Sequence, residues 1–483
     1  MRLLKRILVK DKVCFRLLLF WVFILSIAYS SLSLLRHIHF QSGAFDLGIF
    51  DQTIWQYAHF LSPINTIKEK FILGDHLNLT LPFLAPLYWV WQDVKLLLIF
   101  QAFFITFSAI PIYKVSRIRK FSPFVSLCLS FIYSLFFGIQ FAVFFDFHPI
   151  VIGVGLLTWF IYFFEAKNLP AGRQGKKLFW IFLTLILLTQ ENMGIALSGI
   201  GLIYLFKKEY RKPAILFIVG GLIVSLTSVK IVGLLSQTGY QYWPSLSLNP
   251  IQLLSNFFDS PEKRLVWLYS FSWFTFLPIL SPGTILAVFL DLSQYFIPQK
   301  QFGHMVTPFL HHRAILAPLI TLGLFDVLLF LKKKINISIL VVILVLSSIS
   351  QQFIFHFPLN KISKLSYWQN EQWMDDNRKL FTLLPKGTSV AASQNLVSHL
   401  SQRKEIYLVY PRIKDNICKG CWWLEFAGKP EYLVVDLHPN QWVTQLLESN
   451  ENFQSAVKNM EKKGKIAKFK NINNAYIYKI NYK

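Results

Sequence analysis

The sequence predicts an α-helical polytopic membrane protein that ends in a small soluble α/β domain, and three observations lead there. The 483 residues are 54% hydrophobic and 15% charged, whereas soluble domains carry roughly 25% charge. Apolar runs of about 18 to 22 residues recur along the chain, the length at which a helix crosses a bilayer. From Lys361 onward the composition becomes that of a soluble domain. Helices are expected and not a barrel, because a helix satisfies its backbone polar groups within one segment.

Composition also excludes some functions. The net charge of +24 invites a nucleic-acid partner, but most Lys and Arg residues sit in short connectors, as orientation signals do, so no nucleic-acid role is read from them. The 47 Phe, 14 Trp and 19 Tyr residues suit lipid contact, interfacial belts and sugar-stacking surfaces. Four cysteines make no disulfide framework.

The basic connectors order the spans, since positive loops stay in the cytoplasm. Arg2, Lys5, Arg6, Lys10, Lys12 and Arg16 hold the N-terminus there. The apolar run 15–33 lacks a small-residue cleavage site, so it reads as a retained signal anchor. Residues 96–113 run back to Lys114, Arg117, Arg119 and Lys120, which leaves 37–95 as a long first external loop with helices expected at 49–59 and 77–89. Spans 123–143 and 150–164 flank an external turn, Phe145-Asp-Phe-His-Pro149, and Lys167, Arg173, Lys176 and Lys177 follow inside. Spans 178–188 and 193–205 flank Thr189-Gln-Glu-Asn192, again external, and end at Lys207, Lys208, Arg211 and Lys212. Span 214–235 leads to a polar loop, 236–264. Short pieces 265–280 and 284–298 form a hairpin, 310–331 returns to Lys332, Lys333 and Lys334, and 337–357 goes outward. The count is about eleven transmembrane helices. Residues 1–360 are the membrane domain, and 361–483 are an extracytoplasmic α/β domain.

In that last domain, 388–393, 405–410 and 431–436 read as strands, 395–401 and 441–461 as helices, and 465–480 as a terminal strand pair. Cys418 and Cys421 form a lone Cys-x-x-Cys without a second pair or nearby His ligands, which suits an external disulfide or two thiols better than a metal. Residues 168–175 read as a flexible cytoplasmic turn.

The connector charges send nearly every unusual polar residue to one side. Asp46, Asp51, Asp75, His76, Asp146, His148, Glu191, Asn192, His304, His311, His312 and Arg313 all fall at external loops or external span ends, and no comparable cluster is expected on the cytoplasmic side. Randomly scattered polar residues would divide between the faces, so an outward-facing reaction chamber is the simplest cause. Each residue also has a structural reading. Asp46 and Asp51 suit acid/base chemistry or the capping of a loop helix. Asp75 and His76 suit a helix start, and Asp146 and His148 a hydrogen-bonded turn before Pro149. Glu191 lies between two apolar segments, where an unpaired carboxylate is costly. His311, His312 and Arg313 suit a phosphate grip or an interfacial lipid anchor. Asp and His also suit a divalent cation, but the spacing requires none.

These residues carry a resemblance. Phe45-Asp-Leu-Gly-Ile-Phe-Asp-Gln52 after the first span, His76 before Pro86-Leu-Tyr88, Asp146-Phe-His-Pro149, Gln190-Glu-Asn192 and the His-rich entry to 310–331 resemble a bacterial and archaeal family of predicted multi-span membrane proteins, a domain of unknown function within the GT-C glycosyltransferase clan. That family commonly has a Lys-Glu-Asp type triplet where this chain has Gln190-Glu191-Asn192, so only the central Glu is shared.

The resemblance implies a GT-C-like fold in the cell membrane and the transfer of a sugar from a polyprenyl-phosphate donor to a glycan, lipid or protein acceptor on the extracytoplasmic face. A first-loop carboxylate would be the general base, Asp46 first and Asp51 second. A hydroxyl is a poor nucleophile until a positioned carboxylate takes its proton. His311, His312 and Arg313 would stabilise the departing phosphate, with Asp75, His76, Asp146, His148, Glu191, Asn192 and His304 lining the substrate site. The rivals are a transporter or flippase of lipid-linked saccharides, which predicts polar residues spread through the bilayer depth, and a non-catalytic scaffold of envelope assembly.

Overall fold

The computed structural model describes residues 11–166, 172–243, 249–297, 300–410 and 426–482. Cys418, Cys421, the basic residues Arg2, Lys5, Arg6 and Lys10 and the first half of the 168–175 turn lie outside them. The chain divides into two compact units. Unit 1 comprises Met1–Leu32, Leu73–Thr80 and Phe100–Ser363, and unit 2 comprises Ser33–Ile72, Leu81–Ile99 and Lys364–Lys483. Most of the first loop therefore groups with the C-terminal segment.

Among the described residues six helices are long and apolar enough to cross a membrane: Asp11–Ile38, Lys95–Ile118, Pro149–Ala166, Lys208–Leu235, Gly303–Leu331 and Ile337–Ile354. The pair Pro123–Ser134 and Phe137–Phe145, bent by 43°, adds a seventh if it is one span. Its break frees the Leu135 carbonyl, which accepts from Gln140 Nε2 at 2.6 Å, so that group is not left bare in an apolar setting. The other four expected crossings fall on the shorter helices Gly172–Leu187, Met193–Leu205, Pro261–Ser272 and Pro282–Phe296. The 13 residues of Met193–Leu205 span only about 20 Å, against a hydrocarbon core of about 30 Å.

In unit 1 the helices Met193–Leu205 and Arg211–Leu235 approach through small residues. A Cβ at Gly194 would overlap the Gly221 carbonyl, and one at Gly221 would overlap that of Gly194. Ser198 Oγ reaches across to the Ile218 carbonyl at 2.9 Å. Small residues let backbones close where lipid provides no hydrophobic drive for helix association.

A second polar cluster corrects the expectation that the basic-connector ends hold none. Arg119 bonds Glu165 at 2.6 Å and Asp326 at 2.9 Å, Lys207 bonds Asp326 at 2.7 Å, and Tyr204 donates to Glu165. Arg119 and Lys207 look like orientation charges in the sequence, because their carboxylate partners lie 46 or more positions away.

Unit 2 carries an antiparallel pair, β1 (Ile64–Asn65) with β2 (Lys70–Phe71), and a five-stranded sheet built from β3 (Val390–Ala392), β4 (Ile406–Leu408), β5 (Tyr432–Asp436), β6 (Ile466–Ile472) and β7 (Ala475–Ile480). The sheet order is β4-β3-β5-β7-β6. β3 pairs parallel with β4 and β5, while β7 pairs antiparallel with β5 and β6. Helix Asn450–Lys462 buries Phe453, Ala456 and Val457 with Leu433 and Val435 of β5, the apolar face that its 3.6-residue period presents. The strands sit where the sequence predicts them. The expected loop helix 77–89 is instead two short pieces, Leu81–Leu84 and Ala85–Val90, because Pro82 and Pro86 interrupt a continuous helix.

Candidate functional site

The turn before helix Met193–Leu205 places Glu191 inside unit 1, with 4% of its surface exposed. Its Oε1 accepts from His76 Nδ1 at 2.6 Å and from the Tyr240 hydroxyl at 3.3 Å, and its Oε2 accepts from the Leu77 N–H at 3.2 Å. Burial presses this carboxyl upward, but the His76 imidazole and the bonds it receives hold it below the usual carboxylate range. The His76 ring stacks on Tyr242, with centroids 5.0 Å apart and planes 12° apart.

Next to Glu191, Asn192 Nδ2 donates to the Tyr295 hydroxyl at 3.3 Å. The Tyr295 ring lies 4.6 Å from that of His312 and 5.0 Å from the Arg313 guanidinium. His311 stacks on His148 at 3.8 Å and lies 4.0 Å from His312. Gln101 fixes the Asp146-Phe-His-Pro149 turn: its Nε2 donates to the Asp146 carbonyl at 2.9 Å and its Oε1 accepts from the His148 N–H at 2.8 Å. Gly138 lets helix Phe137–Phe145 lie against the Arg313 carbonyl, which a Cβ would overlap. A continuous run of contacts thus joins His76, Glu191, Asn192, His312, His311 and His148 in one unit.

Several of these groups are buried with bonding capacity left over. Both ring nitrogens of His311, His312 Nδ1, Arg313 Nη1, Asn192 Oδ1 and Asp291 Oδ2 have no hydrogen-bond partner among the described residues. Arg313 is otherwise anchored, with Nε donating to the Thr307 carbonyl at 3.1 Å and Nη2 to that of Met305. Native interiors pair nearly all such atoms, so a concentration of them points to a polar ligand. Tyr240, Tyr242, Tyr295, Gln101 and Asp291 are the members that sequence reasoning missed. Asp291 carried a usable signal, a carboxylate inside an apolar run.

The remaining predicted residues divide. Asp75 is buried one position before His76, and His304 is exposed on the turn Lys300–Val306. Asp46 and Asp51 belong to unit 2. Asp46 is partly exposed and adopts φ +68° and ψ −81°, the region of a strained γ-turn. Asp51 is fully buried, accepting from the hydroxyls of Tyr88 and Ser401 and from Gln402 Nε2 at 3.2 Å, and burial pushes its carboxyl up to about 6 despite those bonds. Among the described residues no group of three or more His, Cys, Asp or Glu side chains is arranged to hold a metal.

A family model described as "Predicted membrane protein (DUF2079)" matches residues 36–464. No curated protein matches. Among solved structures, the chain is similar to the crystal structure of ArnT from Cupriavidus metallidurans bound to undecaprenyl phosphate, with a TM-score of 0.50 and 10% sequence identity over 95% of this chain and 98% of that one. The chain therefore shares the overall fold of that structure.

Proposed function

The chain belongs to the DUF2079 family of predicted membrane proteins, and from that premise we propose that it is a membrane glycosyltransferase that moves a sugar from a polyprenyl-phosphate donor to an acceptor on the extracytoplasmic face. The observation that carries this reading is the cluster of buried, unpartnered nitrogens at His311, His312 and Arg313, joined through Tyr295 and Asn192 to the His76–Glu191 pair. A phosphoryl oxygen asks for such donors, and the cited ArnT structure contains undecaprenyl phosphate.

In this reading the acceptor hydroxyl attacks the anomeric carbon as a carboxylate takes its proton, the role that the family resemblance gives to Asp46. The bond from the anomeric carbon to the phosphate oxygen breaks, and the lipid phosphate leaves with the electron pair. Arg313 and His76 offset the charge that develops on it. Asp51, with its oxygens occupied, shapes the first loop and is not the base. The eleven crossings, the cytoplasmic N-terminus and an extracytoplasmic C-terminal domain from residue 361 belong to the same proposal.

The test is lipid binding by the full-length protein in nanodiscs. Undecaprenyl phosphate is expected to bind at least about tenfold tighter than undecaprenol, and Arg313→Gln to erase that difference. Equal binding of the phosphate and the alcohol by the unaltered protein would sink the reading.

A further inference from the structure

Unit 2 contains a cavity that the transfer chemistry does not use. Its volume is about 590 Å³, inside the range of about 300–1,000 Å³ common to small-molecule pockets. One wall is a set of packed rings, of which Phe381 is partly exposed. His399 stacks on His37 with centroids 3.9 Å apart and planes 17° apart, and lies 4.2 Å from Phe40 and 6.0 Å from Phe381. Burial, with His37 adjacent, holds the His399 imidazole well below its usual range, so this face is uncharged at neutral pH. His399 Nε2 has no hydrogen-bond partner among the described residues.

The charged groups of the lining are already matched. Lys95 Nζ bonds Asp93 at 3.0 Å, and Arg378 bonds Asp375 and donates to the Ile38 carbonyl at 3.0 Å. A site built for a free anion would keep its cations unpaired. Paired charges beside the amides of Gln92 and Gln402 instead offer both donors and acceptors, as a polyol with many hydroxyl groups requires. Aromatic faces complement the apolar C–H faces of a pyranose.

We propose that this cavity binds a neutral saccharide of one or two sugar rings, packed on Phe381 beside His399 and hydrogen-bonded through Gln92 and Gln402. The site needs neither Asp46 nor Glu191, so it stands apart from the transfer reading and survives that reading's failure.

The test uses the full-length protein in nanodiscs, with maltose, cellobiose, N-acetylglucosamine and galactose as probes and saturation-transfer NMR as the readout. At least one probe is expected to bind with Kd below about 10 mM. Phe381→Ala is expected to weaken it about 5- to 10-fold, and Phe381→Trp to retain it. Gln92 is exposed, so Gln92→Ala should weaken binding without disturbing the fold, which an unchanged thermal melt verifies. Absence of saturable binding for all four probes overturns the proposal. So does wild-type affinity in both Phe381→Ala and Gln92→Ala, or displacement of the sugar by inorganic phosphate at equal concentration.

Discussion

Asp46 is held where a non-glycine residue rarely rests, at φ +68° and ψ −81°, and such backbone geometry costs about 1–3 kcal/mol. Strain of this kind persists where a side chain must be aimed, which fits the base proposed here. Asp46→Gly is therefore expected to raise the melting temperature while abolishing sugar transfer. Asp46→Asn should leave the melt unchanged and lower transfer by about 10²- to 10⁴-fold. Transfer by either variant at the wild-type rate removes Asp46 from the mechanism. At Glu191 the expectation concerns burial: His76→Ala leaves a carboxylate without its partner, costing about 3–5 kcal/mol, whereas the double variant His76→Ala/Glu191→Gln loses less. A thermal melt in which the double variant is the weaker of the two contradicts the pair as drawn. The sequence singled out His76, Glu191 and the His311-to-Arg313 triplet by residue type and position alone. It could not single out Tyr240 or Tyr295, because tyrosines are ordinary in an aromatic-rich membrane chain and only the fold brings them to Asn192 and Glu191.

Elements were legible where a local pattern specified them and illegible where a distant contact did. The strands of the C-terminal segment announced themselves through short apolar runs bounded by polar turns, and β3 to β7 lie within them. The packing of helices Met193–Leu205 and Arg211–Leu235 did not, since glycines in apolar runs mark many things. Gly194→Val or Gly221→Val is expected to force these helices apart and to destabilise the protein by about 1–3 kcal/mol, read as a lower melting temperature in detergent. In the C-terminal segment, His438 joins two elements: its Nδ1 bonds Asp436 of β5 at 2.7 Å and its Nε2 bonds Asp376 of helix Gln372–Thr382 at 3.3 Å. Burial alone would lower this imidazole, but the bonds to Asp436 and Asp376 raise it above its ordinary value. Its contribution is fully present below the unfolded value of about 6.5 and fades as pH rises through the folded value. The melt should therefore fall on going upward from about pH 6.5, and His438→Gln should flatten that part of the profile. An unchanged slope in the variant assigns the pH dependence elsewhere.

At the scale of the whole molecule, the two polar clusters of unit 1 act as independent markers of orientation. Arg119, Glu165, Lys207 and Asp326 are bonded together, so the ends of four helical segments meet there. His148, Asn192 and His311 stand at the opposite ends of three of those segments, Pro149–Ala166, Met193–Leu205 and Leu316–Leu331. The first of these is 18 residues, about 27 Å from end to end, close to the thickness of a hydrocarbon core. In the proposed topology the lysine-rich connectors that follow the Arg119 ends lie in the cytoplasm by the positive-inside rule, and the His76–Glu191 cluster faces outward. The proposed topology counts the six long helices, the bent pair and the four shorter helices as eleven crossings, and with that count the C-terminal segment lies outside as well. In a variant lacking all four native cysteines, Lys333→Cys is expected to react with a membrane-impermeant maleimide only after the membrane is opened. His304→Cys, on an exposed turn at the other end, should react in intact cells. Labelling of both positions from the same side would break the orientation, and with it the assignment of the candidate site to the extracytoplasmic face.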